Sequence, residues 1–253
     1  MKHSKKIVAA TLVAALSLTT GLSLAACNGV KEYAFEAENA EITCGTSREF
    51  DWAKAQQDQP ADPTSPEFQE FWATAHQNPE YYTVKEVNVT VETATEYTGT
   101  DEEGPEVTNL GYFYGNGTYI TWKITASADC EATLNLRAAS ASAQMNQQFQ
   151  AVAMNELTFE EGIQPVTLKV NEEDVTLTGT LPGIEAENMP SDYSYYRNFG
   201  NVSATVNLKK GENIITLVAP QQNGMVNVDK IVIKSKAKLS YEPIDNSDRE
   251  SAM

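Results

Sequence analysis

The sequence predicts an all-β fold, a jelly-roll β-sandwich carrying a short helical insertion. Three observations lead there. Short segments alternate apolar and polar side chains with a period of two, clusters of Gly, Asn, Asp and Pro separate them, and no segment shows the strand-then-long-helix rhythm of a parallel sheet. Many short strands with turn signals between them are the pattern of an antiparallel double-layer sandwich.

The elements follow in order. Tyr33 to Glu38 alternates with Tyr33, Phe35 and Ala37 on one face, and the run continues to Ile42. Residues 46–83 break the pattern: Asp58 to Pro63 reads as loop, and Ser65-Pro66-Glu67 is a helix start with a serine cap, proline at the first position and an acid in the first turn. A helix from Pro66 to about His76 would place Phe68, Phe71 and Trp72 on one face. Val87, Val89 and Val91 restart the β alternation. Tyr119 to Ile124 and Thr133 to Arg137 alternate around a turn at Ala128-Asp129, which predicts an antiparallel hairpin. Residues 140–163, rich in Ala, Ser and Gln, read as a helical or irregular second insertion. Val166 to Val170, Val175 to Leu177, Val202 to Leu208, Ile214 to Val218 and Val226 to Ile233 complete the strands. The predicted domain spans residues 33–235, and residues 236–253 read as a polar tail. The tetrapeptide Glu36-Ala37-Glu38-Asn39 recurs as Glu185-Ala186-Glu187-Asn188 without its flanks, which reads as coincidence.

Residues 1–26 read as a bacterial lipoprotein signal. Lys2, Lys5 and Lys6 precede an apolar run from Ile7 to Leu18, and Leu24-Ala25-Ala26-Cys27 resembles a lipobox. Cys27 is then the lipidated residue, 27–32 a tether, and the expected location the extracytoplasmic face of a bacterial cell membrane. The signal holds three of the 18 basic residues and none of the 35 acidic ones, so the mature protein is more acidic than the full chain at −17. Such a charge excludes phosphate-backbone recognition, so nucleic acid is not an expected partner. With Cys27 committed to lipid, Cys44 and Cys130 are either a disulfide or two free thiols. Only two histidines are present, one of them within the signal, which leaves little material for a nucleophile–histidine enzyme.

The order of motifs resembles the jelly-roll carbohydrate-binding modules of families 6 and 35. The segments that carry it are Phe35-Glu36-Ala37-Glu38, Asn109-Leu110-Gly111-Tyr112-Phe113, Gly117 to Trp122, Thr133 to Ala138 with its arginine, Leu208 to Asn213, and Asn227-Val228-Asp229. Tyr196-Arg197-Asn198-Phe199 stands where these modules have two tryptophans, and the insertions at 46–83 and 140–163 are larger than the modules' core.

The resemblance implies that the first and last strands are neighbours. Glu36 and Glu38, two apart on one strand face, would then meet Asp229 and hold a structural calcium through hard oxygen ligands, with backbone carbonyls completing the shell. Taken without the resemblance, the two glutamates read as solvated or paired with lysines such as Lys230. By the same resemblance Tyr112 and Tyr196 offer ring and hydroxyl to a sugar, and Asn227 or Asn223 an amide. Asp101, Glu102 and Glu103 form a further acidic run, read mainly as a solvated face.

The function these readings imply is non-catalytic binding of a polysaccharide or oligosaccharide at the cell surface, either alone or beside a hydrolase or transporter. Two others compete with it: an adhesion or assembly lipoprotein that uses the jelly roll as a protein scaffold, and a glycoside-active enzyme with Glu36 and Glu38 as its acid pair.

Overall fold

The computed structural model describes residues 29–99, 104–146, 151–189, 196–221 and 226–249. In chain order, β1 (Lys31–Glu36) and β2 (Glu41–Thr43) precede the first insertion, which holds β3 (Thr46–Phe50), α1 (Trp52–Asp58), α2 (Pro66–Ala75) and β4 (Tyr82–Glu86). There follow β5 (Thr90–Glu96), β6 (Glu106–Gly111), β7 (Tyr119–Ala126) and β8 (Cys130–Ser140). The short strands β9 (Ala143–Met145), β10 (Ala151–Met154), β11 (Leu157–Phe159), β12 (Thr167–Val170), β13 (Glu173–Val175) and β14 (Gly179–Leu181) come next. The chain closes with β15 (Tyr196–Arg197), β16 (Phe199–Leu208), β17 (Gly211–Val218), β18 (Val226–Ser235) and β19 (Leu239–Tyr241).

Two sheets form the sandwich. One runs β15-β5-β6-β18-β8-β16 with β1 added on β18, and the other β13-β12-β17-β7-β19 with β2 added on β7. The alternation read from sequence decides which side chains meet between them: Ile120, Trp122 and Ile124 from β7 face Leu134 and Leu136 from β8 and Ile231 and Ile233 from β18, all fully buried. The first and last long strands are neighbours as expected, with β1 antiparallel to β18 from Lys31 opposite Ser235 to Glu36 opposite Lys230.

Several expectations need correction. Strands β7 and β8 do not pair: β7 bonds β17 and β8 bonds β18 and β16, so the connection between them crosses from one layer to the other. Residues 140–163 hold three short strands and, among the described residues, no helix. The segment read as a polar tail begins by joining the sandwich, since Leu239–Tyr241 pairs with β7 and the Tyr241 ring packs edge-on against Phe35 at 5.6 Å. Cys44 and Cys130 are free thiols. The two positions flank opposite ends of β7, with Cys44 following the Thr43–Tyr119 pair, and that strand separates them by far more than a disulfide spans.

The first insertion is a small helical unit on a β-hairpin. Ser65 caps α2 by accepting from the Phe68 N–H at 3.1 Å, with Pro66 at the first helical position, so the start signal read from sequence is used as written. The unit also contains a helix that the sequence pattern does not announce, α1, which Asp51 caps by accepting from the Lys54 N–H at 2.9 Å. Ala55, Ala75 and Tyr81 make a core separate from that of the sandwich. The unit joins the sandwich at Gly45, where a β-carbon would lie 2.1 Å from the Asn116 carbonyl oxygen. Because that neighbour is backbone, Gly45→Ala is expected to cost about 1–3 kcal/mol. Thermal unfolding would show this as a Tm lowered by several degrees. An unchanged Tm would mean that the joint between insertion and sandwich yields without cost.

Candidate functional site

Glu36, Glu38 and Asp229, singled out from the sequence, are brought together. Strand β1 ends at Glu36, and a 3-10 turn over Ala37–Asn39 carries Glu38 inward, so the two glutamates do not share a strand face as the alternation suggested. Asp229 sits at a bulge in β18, where the register with β8 shifts between Val228 and Lys230. An extra residue at a bulge re-aims its side chain, and this one is turned into a cluster of charges.

Two cations answer the acids. Lys230 Nζ lies 3.0 Å from Glu36 Oε2 and 3.6 Å from Asp229 Oδ1. The Arg137 guanidinium donates through Nη1 to Asp229, whose side chain is 2% exposed, and through Nη2 to Glu96 Oε1 at 2.6 Å. The Phe199 ring lies beneath that guanidinium at 4.8 Å. Glu38 is the acid left over. Burial, joined by the charges of Glu36 and Asp229, pushes its carboxyl up to about 7, and its Oε2 is buried without a hydrogen-bond partner.

A buried, unpartnered carboxylate oxygen beside two further carboxylates has the donor chemistry of a calcium site. Lys230 and Arg137 supply the positive charge in this cluster, and among the described residues no three acids are arranged as they stand to enclose an ion. The backbone around the turn is engaged as well: Asn246 Nδ2 donates to the carbonyls of Glu38 and Ala40, each at 2.8 Å. The cluster is tied to the core through the Trp122 indole N–H, which donates to the Glu36 carbonyl at 3.2 Å.

Tyr112 stands in the loop between β6 and β7 with a left-handed backbone, φ 52°, and its side chain is 54% exposed. The loop is pinned from three sides. The Tyr114 N–H donates to the Tyr112 carbonyl at 3.0 Å, the Gly115 N–H to the Pro220 carbonyl at 2.7 Å, and Asn116 exchanges two backbone bonds with Thr46 at 2.7 and 3.0 Å. A non-glycine residue held at positive φ by its surroundings is a common mark of a functional loop.

The other candidates fall elsewhere. Asn227 lies in β18 opposite Ala139 and is buried, at the same end of the sheet as Tyr112. Tyr196 pairs with Thr95 while Gly111, beside Tyr112, pairs with Thr90; five residues of β5, roughly 17 Å of strand, separate the two tyrosines. Asn223, the run Asp101 to Glu103 and Cys27 lie outside the described residues. Sequence reasoning noted Arg137 as the end of an apolar strand and missed its role as the hub of the cluster. An arginine breaking the apolar run of β8 was the available signal.

No protein-family model matches the chain, and no curated protein sequence does. Its fold resembles that of solved family 35 carbohydrate-binding modules. The module from Clostridium thermocellum aligns over 80% of this chain and 97% of its own length, at 16% identity and a TM-score of 0.42. One from Paenibacillus barcinonensis aligns over 80% and 98%, at 14% and 0.39. The module of Cellvibrio japonicus Abf62 aligns over 62% and 91%, at 16% and 0.38.

Proposed function

We propose that the chain is a non-catalytic, glycan-binding domain displayed on a bacterial surface by a lipid at Cys27, with Tyr112 as its first sugar-stacking residue. The observation that supports it is the loop of Tyr112, which spends backbone strain to hold an aromatic ring in solvent. An exposed tyrosine on a pinned loop offers a flat apolar face for the C–H side of a pyranose and a hydroxyl for its polar rim. The motif order shared with families 6 and 35 supports the same reading. The enzyme reading is disfavoured because its acid pair is otherwise engaged: Glu36 is bonded to Lys230, and Glu38 turns a carboxylate oxygen into the protein, away from solvent.

Glu36, Glu38 and Asp229 would hold a calcium ion in this proposal, with Glu36 giving up Lys230. The ion would supply the positive charge that Glu38 lacks and so fasten the first strand to the last.

A glycan array probed with and without calcium tests ligand class and metal together. Tyr112→Ala is expected to weaken binding about tenfold, the loss of one aromatic contact. Equal binding by parent and variant would remove Tyr112 from the site. An array on which the parent binds nothing would favour the scaffold reading.

A further inference from the structure

We infer that the first insertion carries a second sugar subsite, a cleft continuing onto an aromatic strip that ends at Trp52, and that it takes a neutral pyranose of the same glycan. The inference rests on the carbohydrate-binding reading above.

The cleft lies between the β3–β4 hairpin and the sandwich loops. Thr46, Ser47, Arg48 and Val84 line one side and Asn116 and Gln221 the other, around about 430 Å³, within the roughly 300–1,000 Å³ of small-ligand pockets. Thr46 and Asn116 are the residues whose paired backbone bonds pin the Tyr112 loop, so cleft and loop share a rigid joint. Ser47 is 8% exposed and its hydroxyl has no hydrogen-bond partner. A buried hydroxyl left unpaired is destabilising, so this wall of the cleft is under-satisfied as it stands.

The remaining lining suits a polyhydroxylated ring. Arg48 is stacked over the Tyr82 ring at 4.9 Å and takes part in no ion pair among the described residues, leaving its fork of donors available. Across the hairpin Glu86 stands opposite Thr46, so the local charge is near balance and favours a neutral sugar over an anionic one. Val84, 69% exposed, gives the cleft an apolar lip.

From Arg48 the rings run outward in contact. Tyr82 meets Phe50 edge-on at 5.4 Å, Phe50 meets Trp52 edge-on at 4.9 Å, and Trp52 stacks on Trp72 at 5.8 Å with 27° between planes. Trp72 is itself fixed by its indole N–H, which donates to Gln59 Oε1 at 3.1 Å. Packing of the small core accounts for Trp72 and Phe50, but Trp52 is 55% exposed. An indole fixed from behind and open in front is a stacking platform that needs little ordering when a sugar arrives.

The test is titration of the full chain with neutral gluco-, xylo- and manno-oligosaccharides of one to six sugars, read by tryptophan fluorescence. Of the three tryptophans Trp122 is sealed in the core, so a ligand-dependent change reports Trp52 and Trp72. Parent affinity should rise with chain length, with a shift in emission. Trp52→Ala and Val84→Lys should each bind the longest oligosaccharide about tenfold more weakly while keeping the affinity of the shortest. Val84→Lys changes an exposed side chain and preserves the fold even if Trp52→Ala does not, which circular dichroism checks. Length-dependent binding unchanged in both variants overturns the subsite and leaves the Tyr112 site standing. Loss in these variants with none in Tyr112→Ala retains the subsite and rejects Tyr112. No binding and no emission change with any probe overturns both.

Discussion

Arg137→Leu is expected to lower stability by about 3–5 kcal/mol, the usual cost of removing one partner of a buried ion pair. In a domain of this size that moves Tm down by roughly 10 °C. Asp229 would be left 2% exposed with only Lys230, at 3.6 Å, to answer it, and Glu96 would lose its 2.6 Å contact. Pairing the change with Asp229→Asn should recover a large part of the loss, since an amide carries no charge to strand. Arg137→Lys should fall between, because a single ammonium cannot serve Asp229 and Glu96 together while lying flat on Phe199. Calorimetric melting of the four proteins decides it. A single-variant Tm within two degrees of the parent's (about half a kcal/mol) would show that the cluster does not bear on stability.

The second large effect concerns pH. Calcium-stripped protein should become more stable on acidification from about pH 8 to 5. The sign follows from Glu38, whose carboxyl stands at about 7 when folded against an ordinary 4.5. Folding therefore takes up a proton, and the gain accrues as pH falls through 7 and is complete near 4.5. Allowing for solvent screening of a partly exposed group, the gain is about 1–2 kcal/mol, several degrees of Tm. Glu38→Gln should melt higher than the parent at pH 8 and show a flatter pH profile. If Glu36, Glu38 and Asp229 hold the proposed calcium, saturating calcium should reverse the parent's trend, because acid then competes with the ion for the carboxylate. A parent profile in chelator that falls steadily on acidification would show that Glu38 is charged and satisfied in the folded protein.

The layers of the sandwich were legible because a period of two states which side chains turn inward, and in β7 and β8 every alternating inward position is buried, with Thr121 and Ala139 buried besides. That same pattern does not say which sheet a strand joins. The short turn after Ala126 looked like a hairpin and is a crossing between layers. Leu239 and Tyr241 were hidden in lysine-rich surroundings, with too few residues to show alternation.

At the candidate site, the resemblance in motif order marked Glu36, Glu38 and Asp229, and topology supplied their surroundings. Glu36-Ala37-Glu38-Asn39 and Glu185-Ala186-Glu187-Asn188 fold into the same 3-10 turn, entered at φ −67°, ψ 142° and φ −66°, ψ 151°. Local sequence thus dictates local shape in both. Glu187 is solvent-exposed, whereas Glu38 is pressed against the end of β18, a difference no four-residue window contains. In sequence Tyr196 reads as a loop aromatic and Tyr112 equally as loop or core, and only the strand register places them at different ends of β5.

The antiparallel pairing of β1 with β18 gives the domain a direction. Lys31 lies beside Ser235, while the Tyr112 loop, the first insertion and Gln221 gather about the Val226 end of the same strand. Nine residues of β18 separate these poles, about 30 Å. If Cys27 carries the proposed lipid, the Ser235 pole, where β1 begins, is the one nearer the anchor along the chain, and the Tyr112 loop lies at the pole away from it. A soluble glycan chain could then be caught without either partner having to bend toward the membrane.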